Sequence, residues 1–362
     1  MIDTIALKLN CKEFKILDYS KFKQSSYTGQ NNYIKAVYNI KLVGYTLCLT
    51  LYNYGSPELM IQFSAPKLLK GNNFDELDDN DFEPLIQKLT SDLRLASVEV
   101  YQYNLRNAMV SKIDYSKNII FTDGTKSSMI IHELSKADIS KKLDICETKY
   151  RNGNNLQFHA NSYEYVFYDK IADLRQSKIS EKRSFENDNI VQLNLLDQIK
   201  DEPFEVFRIE IRLANRTKLK STLKQLGLIQ QMTFESLFKQ AISRQILLHF
   251  WANTTDCMNF MMIKDNDLSF ILAKILGTGL FTASRALAMT ASLKIIHSEG
   301  ERKFEKIVGP HWHSKTYGSL KSDIIGIAEI LPKNIKLKAL QKVGKEIERF
   351  EKTQLKNYPQ VN

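Results

Sequence analysis

A chain of 362 residues with 43% hydrophobic side chains has room for one large domain or two ordinary ones around a sizeable core. The formal charge of +10, with 51 Lys and Arg against 41 Asp and Glu, favours a polyanionic partner, because cations that neutralise phosphates release condensed counterions. Plain solubility accounts for the same balance equally well. Cys11, Cys48, Cys146 and Cys257 are scattered without a C-x-x-C pair, which argues against a structural zinc or a disulfide framework and for a reduced compartment. The opening MIDTIALKLN alternates like a strand and shows no secretory pattern, so the expected location is the cytoplasm. Leu268 to Ile296 is apolar but interrupted by Lys274, Arg285 and Lys294, too many charges for a membrane span.

In chain order, TIALKLN, YIKAVYNIK, YTLCLTLYN and ELMIQFSAP alternate apolar and polar residues between Asn, Gly and Ser clusters, which predicts an antiparallel sheet. DDNDFEPLIQKLTSDLRL then sets Phe82, Leu85, Ile86, Leu89 and Leu93 at helical spacing behind an acidic start that suits the helix dipole. AMVSKIDYS is a further strand, and the Asp123-Gly124 turn leads into a mixed helical stretch ending near Leu143. LQFHANSYEYVFYDK reads as two strands joined at Asn161-Ser162, followed by a charged helix. FEVFRIEIRLAN is the last strand. Thr233 to Trp251 reads as one packed helix, and helical periodicity continues to the end with breaks near Gly277-Thr278-Gly279 and Gly309-Pro310. The shift in composition near residue 230 divides an α+β unit, 1–230, from a mainly helical unit, 231–362. The hairpin-then-helix pattern of residues 40 to 95 faintly echoes that of residues 155 to 200.

Three strands carry polar side chains at every second position, which sends them to one face. In FEVFRIEIRL, Phe207, Ile209, Ile211 and Leu213 form an apolar face and Arg208, Glu210 and Arg212 the opposite one. Lys112 shares a face with Asp114, and Glu164 and Val166 with Tyr168 and Lys170. If these strands are neighbours, one side of the sheet presents carboxylates, cations and a tyrosine, a surface suited to phosphodiester chemistry. Carboxylates such as Asp114 and Glu210 hold a divalent ion, Mg2+ or Mn2+, through hard oxygens. A tyrosine that attacks phosphorus leaves a covalent phosphotyrosine and a free 3′-hydroxyl, helped by a nearby ammonium such as Lys170. Arg208 and Arg212 suit bidentate phosphate contacts. The bland alternative is an ordinary solvent face with a cross-strand ion-pair ladder. With 16 tyrosines in the chain, pattern alone does not single out Tyr168.

The order of motifs is more specific: IQFSAPKLLKGNNF, then VSKIDYS, then YEYVFYDKIADL, then FRIEIRL. This arrangement, over about residues 55 to 215, resembles the replication-initiation proteins of filamentous phages, the gene II family, and related plasmid rolling-circle initiators. The resemblance implies an antiparallel-sheet nicking endonuclease that joins a tyrosine to the 5′ end of one origin strand. It implies Tyr168 as nucleophile with Lys170 beside it, and it matches Asp114, Arg208 and Glu210 to family positions with Lys112 replacing the family's arginine; Asp114 and Glu210 are then the expected metal ligands, and Arg208, Lys112 and, from the strand pattern, Arg212 the expected DNA contacts. Ser116 stands where a second acidic residue is often found, and Gly71-Asn72-Asn73 resembles a Gly-His-Asn turn with its histidine lost.

Histidine is the other candidate ligand. His159 lies close to the tyrosine strand and joins the expected metal set, although an isolated His is often structural. His311-Trp312-His313 is a His-hydrophobic-His sequence, but Gly309-Pro310 before it favours a loop. In the helical half, Lys333 to Lys356 carries eight Lys and Arg against three Glu, with Leu340, Val343, Ile347 and Phe350 on one stripe, and could meet DNA backbone with its basic face. RTKLKSTLK at 216–224 is another candidate phosphate contact. The expected protein is thus an α+β nickase for rolling-circle replication with a helical DNA-binding or assembly domain. It acts on single-stranded or supercoiled origin DNA with host helicase and polymerase in a bacterial host, with a homodimer as the assembly considered. Its rivals are a non-catalytic origin-binding protein of the same fold and a relaxase or transposase of the same chemistry.

Overall fold

The computed structural model describes residues 1–24, 34–42, 45–53, 55–137, 139, 147–151, 154–175, 205–228, 231–256, 258, 267–327, 330–331 and 337–354. The strands in chain order are β1 (Ile2–Asn10), β2 (Phe14–Ile16), β3 (Lys23–Gln24), β4 (Ile34–Leu42), β5 (Tyr45–Asn53), β6 (Pro57–Ser64), β7 (Val98–Val100), β8 (Met109–Phe121), β9 (Glu147–Arg151), β10 (Asn155–His159), β11 (Tyr163–Asp169) and β12 (Glu205–Leu213). Ten of them form one antiparallel sheet in the order β3-β4-β5-β6-β1-β8-β12-β11-β10-β9, while β2 and β7 pair separately. Every strand expected from alternation is present. The short β2, β3 and β7, too brief to show a period, and the five-residue β9 were not foreseen.

Alternation gives the sheet one apolar face. Leu7, Leu49, Ile61, Ile113, Ile209 and Ile211 on it are at most 1% exposed. Helix Phe82–Leu95 buries Leu85, Ile86, Leu89 and Leu93 beneath one half of the sheet. Helix Gln240–Thr255 covers the other half, with Phe250 packed on Tyr165 at 4.9 Å and Trp251 on Phe167 at 6.4 Å between ring centres. Helix Leu337–Arg349 then lies on that helix. Gly344 permits the approach, since a Cβ there would stand 3.1 Å from the Trp251 indole nitrogen. The stripe Leu340, Val343, Ile347 and Phe350 is buried, and the helical half shares one hydrophobic core with the sheet. Each such buried side chain contributes about 1.5–3 kcal/mol.

The expected continuous helix from Thr233 is a correction: one turn, Phe234–Leu237, precedes Gln240–Thr255, with Phe238 in a non-helical conformation between them. The cause is tertiary. Met232 O accepts from Val110 N and Ala108 O from Phe234 N, tying this segment to the start of β8, while Phe234 and Phe238 pack on Phe82. Helix Ser127–Ser135 opens the stretch expected to run to Leu143, most of whose remainder falls outside the described residues. The charged helix expected after β11 is described only over Lys170–Arg175. Breaks occur near Gly277 and Gly309 as the glycines predict.

Candidate active site

The strand register assembles the polar face in rows. Asn118, Arg208, Tyr168 and Asn155 lie side by side across β8, β12, β11 and β10. Ser116, Glu210, Val166 and Gln157 form the next row, and Asp114, Arg212, Glu164 and His159 the third. The three strands whose alternation suggested a shared surface are therefore direct neighbours, and Tyr168, Asp114, Glu210, Arg208 and Arg212 share one side. Tyr163 and Tyr165 point to the other side, opposite Leu213 and Ile211.

Contacts within the face are dense. The Tyr168 hydroxyl donates to Glu210 Oε2 at 3.2 Å. Arg212 Nε donates to Glu210 Oε1 at 2.7 Å and its Nη1 to Glu164 at 2.9 Å. Arg208 is 1% exposed and occupied internally. It donates to Asn73 O at 2.7 Å, to Asn118 Oδ1 at 3.2 Å and to Ser116 Oγ at 3.0 Å, and pairs with Asp3 at 2.9 Å. Arg208 is thus taken up by the protein's own groups, whereas Arg212 is only partly buried. Lys170 starts the helix after β11, 1% exposed, with its ammonium 5.8 Å from the Tyr168 ring centre and 3.8 Å from Asp173. Lys112 lies 3.6 Å from Asp114.

Burial dominates the electrostatics. It pushes the Tyr168 phenol well above its ordinary range, against the pull of the Arg208 charge and with a further push from Glu210. It pulls the Lys170 ammonium down to about 8, with Arg208 adding to the effect. It also pushes the Asp114 carboxyl up to about 7, although Lys112 opposes it. For Glu210 burial acts in the same upward sense but loses to Arg212 and Arg208, which hold that carboxyl down at about 2.

A divalent cation needs anionic oxygens that are not already satisfied. Asp114 Oδ1 is buried and accepts no hydrogen bond, so it fits a cation, whereas Glu210, diagonally across the β8-β12 pair, would join it only by giving up its bond from Arg212 or Tyr168. They do not form a complete cage: among the described residues no three His, Cys, Asp or Glu side chains converge on one point. His159 is not brought to them. Three strand spacings separate it from Asp114, roughly 14 Å, more than an Asp and a His can span to one ion. His311 and His313 flank an exposed turn in the helical half, off the sheet, as Gly309-Pro310 predicts.

Sequence reasoning missed Asp3, Asn118 and Asn73, the partners that fix Arg208. Alternation in β1 offered a signal for Asp3, which is polar and opposite in sense to Ile2, but no pattern announces which strand will neighbour it. At the same edge β8 outlasts β1, and Glu76 continues the ladder by accepting from Asn118 N at 2.5 Å. Lys117 joins it, donating to Glu76 at 2.6 Å and to Thr353 Oγ1 at 2.9 Å, so the segment after the last helix is fastened to β8.

Fold and site together define an α+β protein whose antiparallel sheet carries a charged, tyrosine-bearing face. The chain belongs to the family of phage replication-associated proteins of the gene II type, whose N-terminal family model matches residues 1–224, a span that takes in every strand of the sheet. It is a replication initiator of the gene II type and, as such, a DNA-binding protein. No curated protein and no solved structure matches the chain. Among the described residues no helix is long and apolar enough to cross a membrane.

Proposed function

We propose that this initiator nicks one strand of its replication origin, with Tyr168 as the nucleophile, and later rejoins it. The observation that carries the reading is the hydrogen bond from the Tyr168 hydroxyl to Glu210 on the polar sheet face. Tyr168 Oη forms a bond to phosphorus while the bond from phosphorus to the 3′-oxygen breaks. Glu210 orients the hydroxyl through its hydrogen bond, the phenolic proton leaves to water, and the departing 3′-oxygen is protonated from water, so protons balance over the step. The products are a 5′-phosphotyrosine and a 3′-hydroxyl for a polymerase, and the reverse sequence reseals the strand. Lys170 and Arg212 offset charge on the phosphate, and Arg208 holds Glu210 and Tyr168 in register. A divalent cation, Mg2+ or Mn2+, held by Asp114 and Glu210 would polarise the scissile phosphate. The setting is the cytoplasm of a bacterial host, with host helicase and polymerase as partners and a homodimer as the assembly to be tested.

One observation favours the rival reading of an origin-binding protein without chemistry: Tyr168 is only 7% exposed, as a packing residue would be. Incubation of the purified protein with single-stranded origin oligonucleotide and Mn2+ separates the two. The nicking reading expects a denaturation-stable adduct that Tyr168→Phe abolishes. Absence of any adduct, or an adduct that survives the substitution, contradicts it.

A further inference from the structure

A second feature lies on the same sheet face as the site. Ala6 on β1 lies between Lys112 of β8 and Gln62 of β6 in one row, and Lys8 lies between Met109 and Met60 in the next. The small Ala6 between two long side chains leaves a trough of about 460 Å³, closed at one end by Asn215 and Arg216 after β12. That volume falls within the roughly 300–1,000 Å³ typical of small-ligand sites. The trough lies on the same sheet face as the reaction site but apart from it: Lys112 lines it, and roughly 13 Å of β8 separates Lys112 from Ser116, the neighbour of Glu210.

The lining is chemically divided. Met60 and Ala6 give an apolar floor, and the polarizable Met thioether suits the flat face of a base. Gln62 is half-buried and carries an amide able to pair with a base edge through one donor and one acceptor. Lys112 and the exposed Arg216 supply positive charge at the rim, while Lys8 is engaged by Glu58 at 2.7 Å. An apolar floor, one amide and a basic rim match a single nucleotide better than a peptide or a neutral metabolite.

We propose that this trough is a base-reading subsite: it receives a nucleotide a few positions along the strand from the scissile phosphate, the base lying on Met60 with its edge against Gln62 and its phosphate against Lys112 and Arg216. The inference rests on the reading of this face as the one that meets single-stranded DNA. It makes the trough a determinant of where the origin is cut, and it assigns Arg216 to the DNA backbone.

The test measures binding by fluorescence anisotropy without added metal, in the Tyr168→Phe background, so that it does not depend on nicking. The probes are fluorescein-labelled 12-mers of oligo(dA), oligo(dC) and oligo(dT) and a duplex of the same length. Gln62 and Arg216 are not core residues, and circular dichroism checks that the variants fold. Gln62→Ala is expected to level a preference among the homopolymers of roughly fivefold or more. Arg216→Ala should weaken all three similarly and lower the salt slope by about 1. The proposal is overturned if Gln62→Ala keeps the original preference, if the unsubstituted residue confers none, or if duplex binds as well as single strand. Changed binding together with no covalent adduct in the wild-type protein would sink the nicking reading and leave the subsite standing.

Discussion

Tyr168 on β11 and Glu210 on β12 meet diagonally across the strand pair, the tyrosine hydroxyl donating to Glu210 Oε2 at 3.2 Å. The same carboxylate accepts from Arg212 Nε at 2.7 Å, so one side chain ties the nucleophile candidate to the cation best placed to meet a phosphate. Glu210 is held ionised by the two arginines that flank it on its own face of β12.

Arg208 is the keystone of that arrangement. Arg208→Met keeps the volume but leaves Asp3 and Glu210 buried without their shared partner. Breaking a buried ion pair from one side costs about 3–5 kcal/mol, and that loss is expected in urea denaturation. A loss below about 1 kcal/mol, the scale of an exposed ion pair, would show that the network is not the structural element described.

Lys170 gives a pH dependence of defined sign. Its folded value of about 8 lies below the ordinary 10.5, so folding disfavours the charged form. Below pH 8 both states hold the proton and the penalty is fully present. As the pH rises from about 8 to 10.5 the folded state gives up its proton first and the penalty is relieved. The wild-type protein should therefore gain stability relative to Lys170→Met across that window. Melting temperatures of the two proteins that run parallel from pH 7 to 10 contradict the assignment. Adduct formation should also decline above pH 8 as the ammonium is lost, and Lys170→Arg should flatten that decline.

The contact between Lys117 and Glu76 fastens the segment around Thr353 to β8. Glu76→Ala leaves the buried Lys117 ammonium without its carboxylate, and the segment should become open to proteases. Limited trypsin digestion is expected to cut at Arg349 or Lys352 at least tenfold faster in the variant, the ratio that a weakening of about 1.4 kcal/mol in local closure gives. Equal cleavage rates would mean the segment is held by other contacts.

If Asp114 and Glu210 hold a cation, a chelator should abolish adduct formation, and Asp114→Asn should raise the Mn2+ concentration required by tenfold or more. Undiminished adduct in excess chelator would remove the cation from the account.

Much of the fold was legible because its strands alternate cleanly. Phe207, Ile209, Ile211 and Leu213 are buried on one face and Arg208, Glu210 and Arg212 stand on the other, as period two requires. The neighbours were not legible: that β12 sits between β8 and β11 is a property of topology, and the Arg208 partners Asp3, Asn73 and Asn118 come from three distant segments. His159 illustrates the limit. It is near Tyr168 in sequence and shares the polar face, yet β11 and β12 separate it from Asp114. The division of Thr233 to Trp251 into two helices was likewise hidden, because it arises from hydrogen bonds to β8 rather than from local propensity.

The central claim is that Tyr168 becomes covalently joined to DNA. Mass-spectrometric mapping of the peptide that carries the nucleotide after nuclease and protease digestion tests it directly. The expected result is a nucleotide on Tyr168 in the segment YEYVFYDK, whereas attachment at Tyr163, Tyr165 or Tyr317 would contradict the assignment.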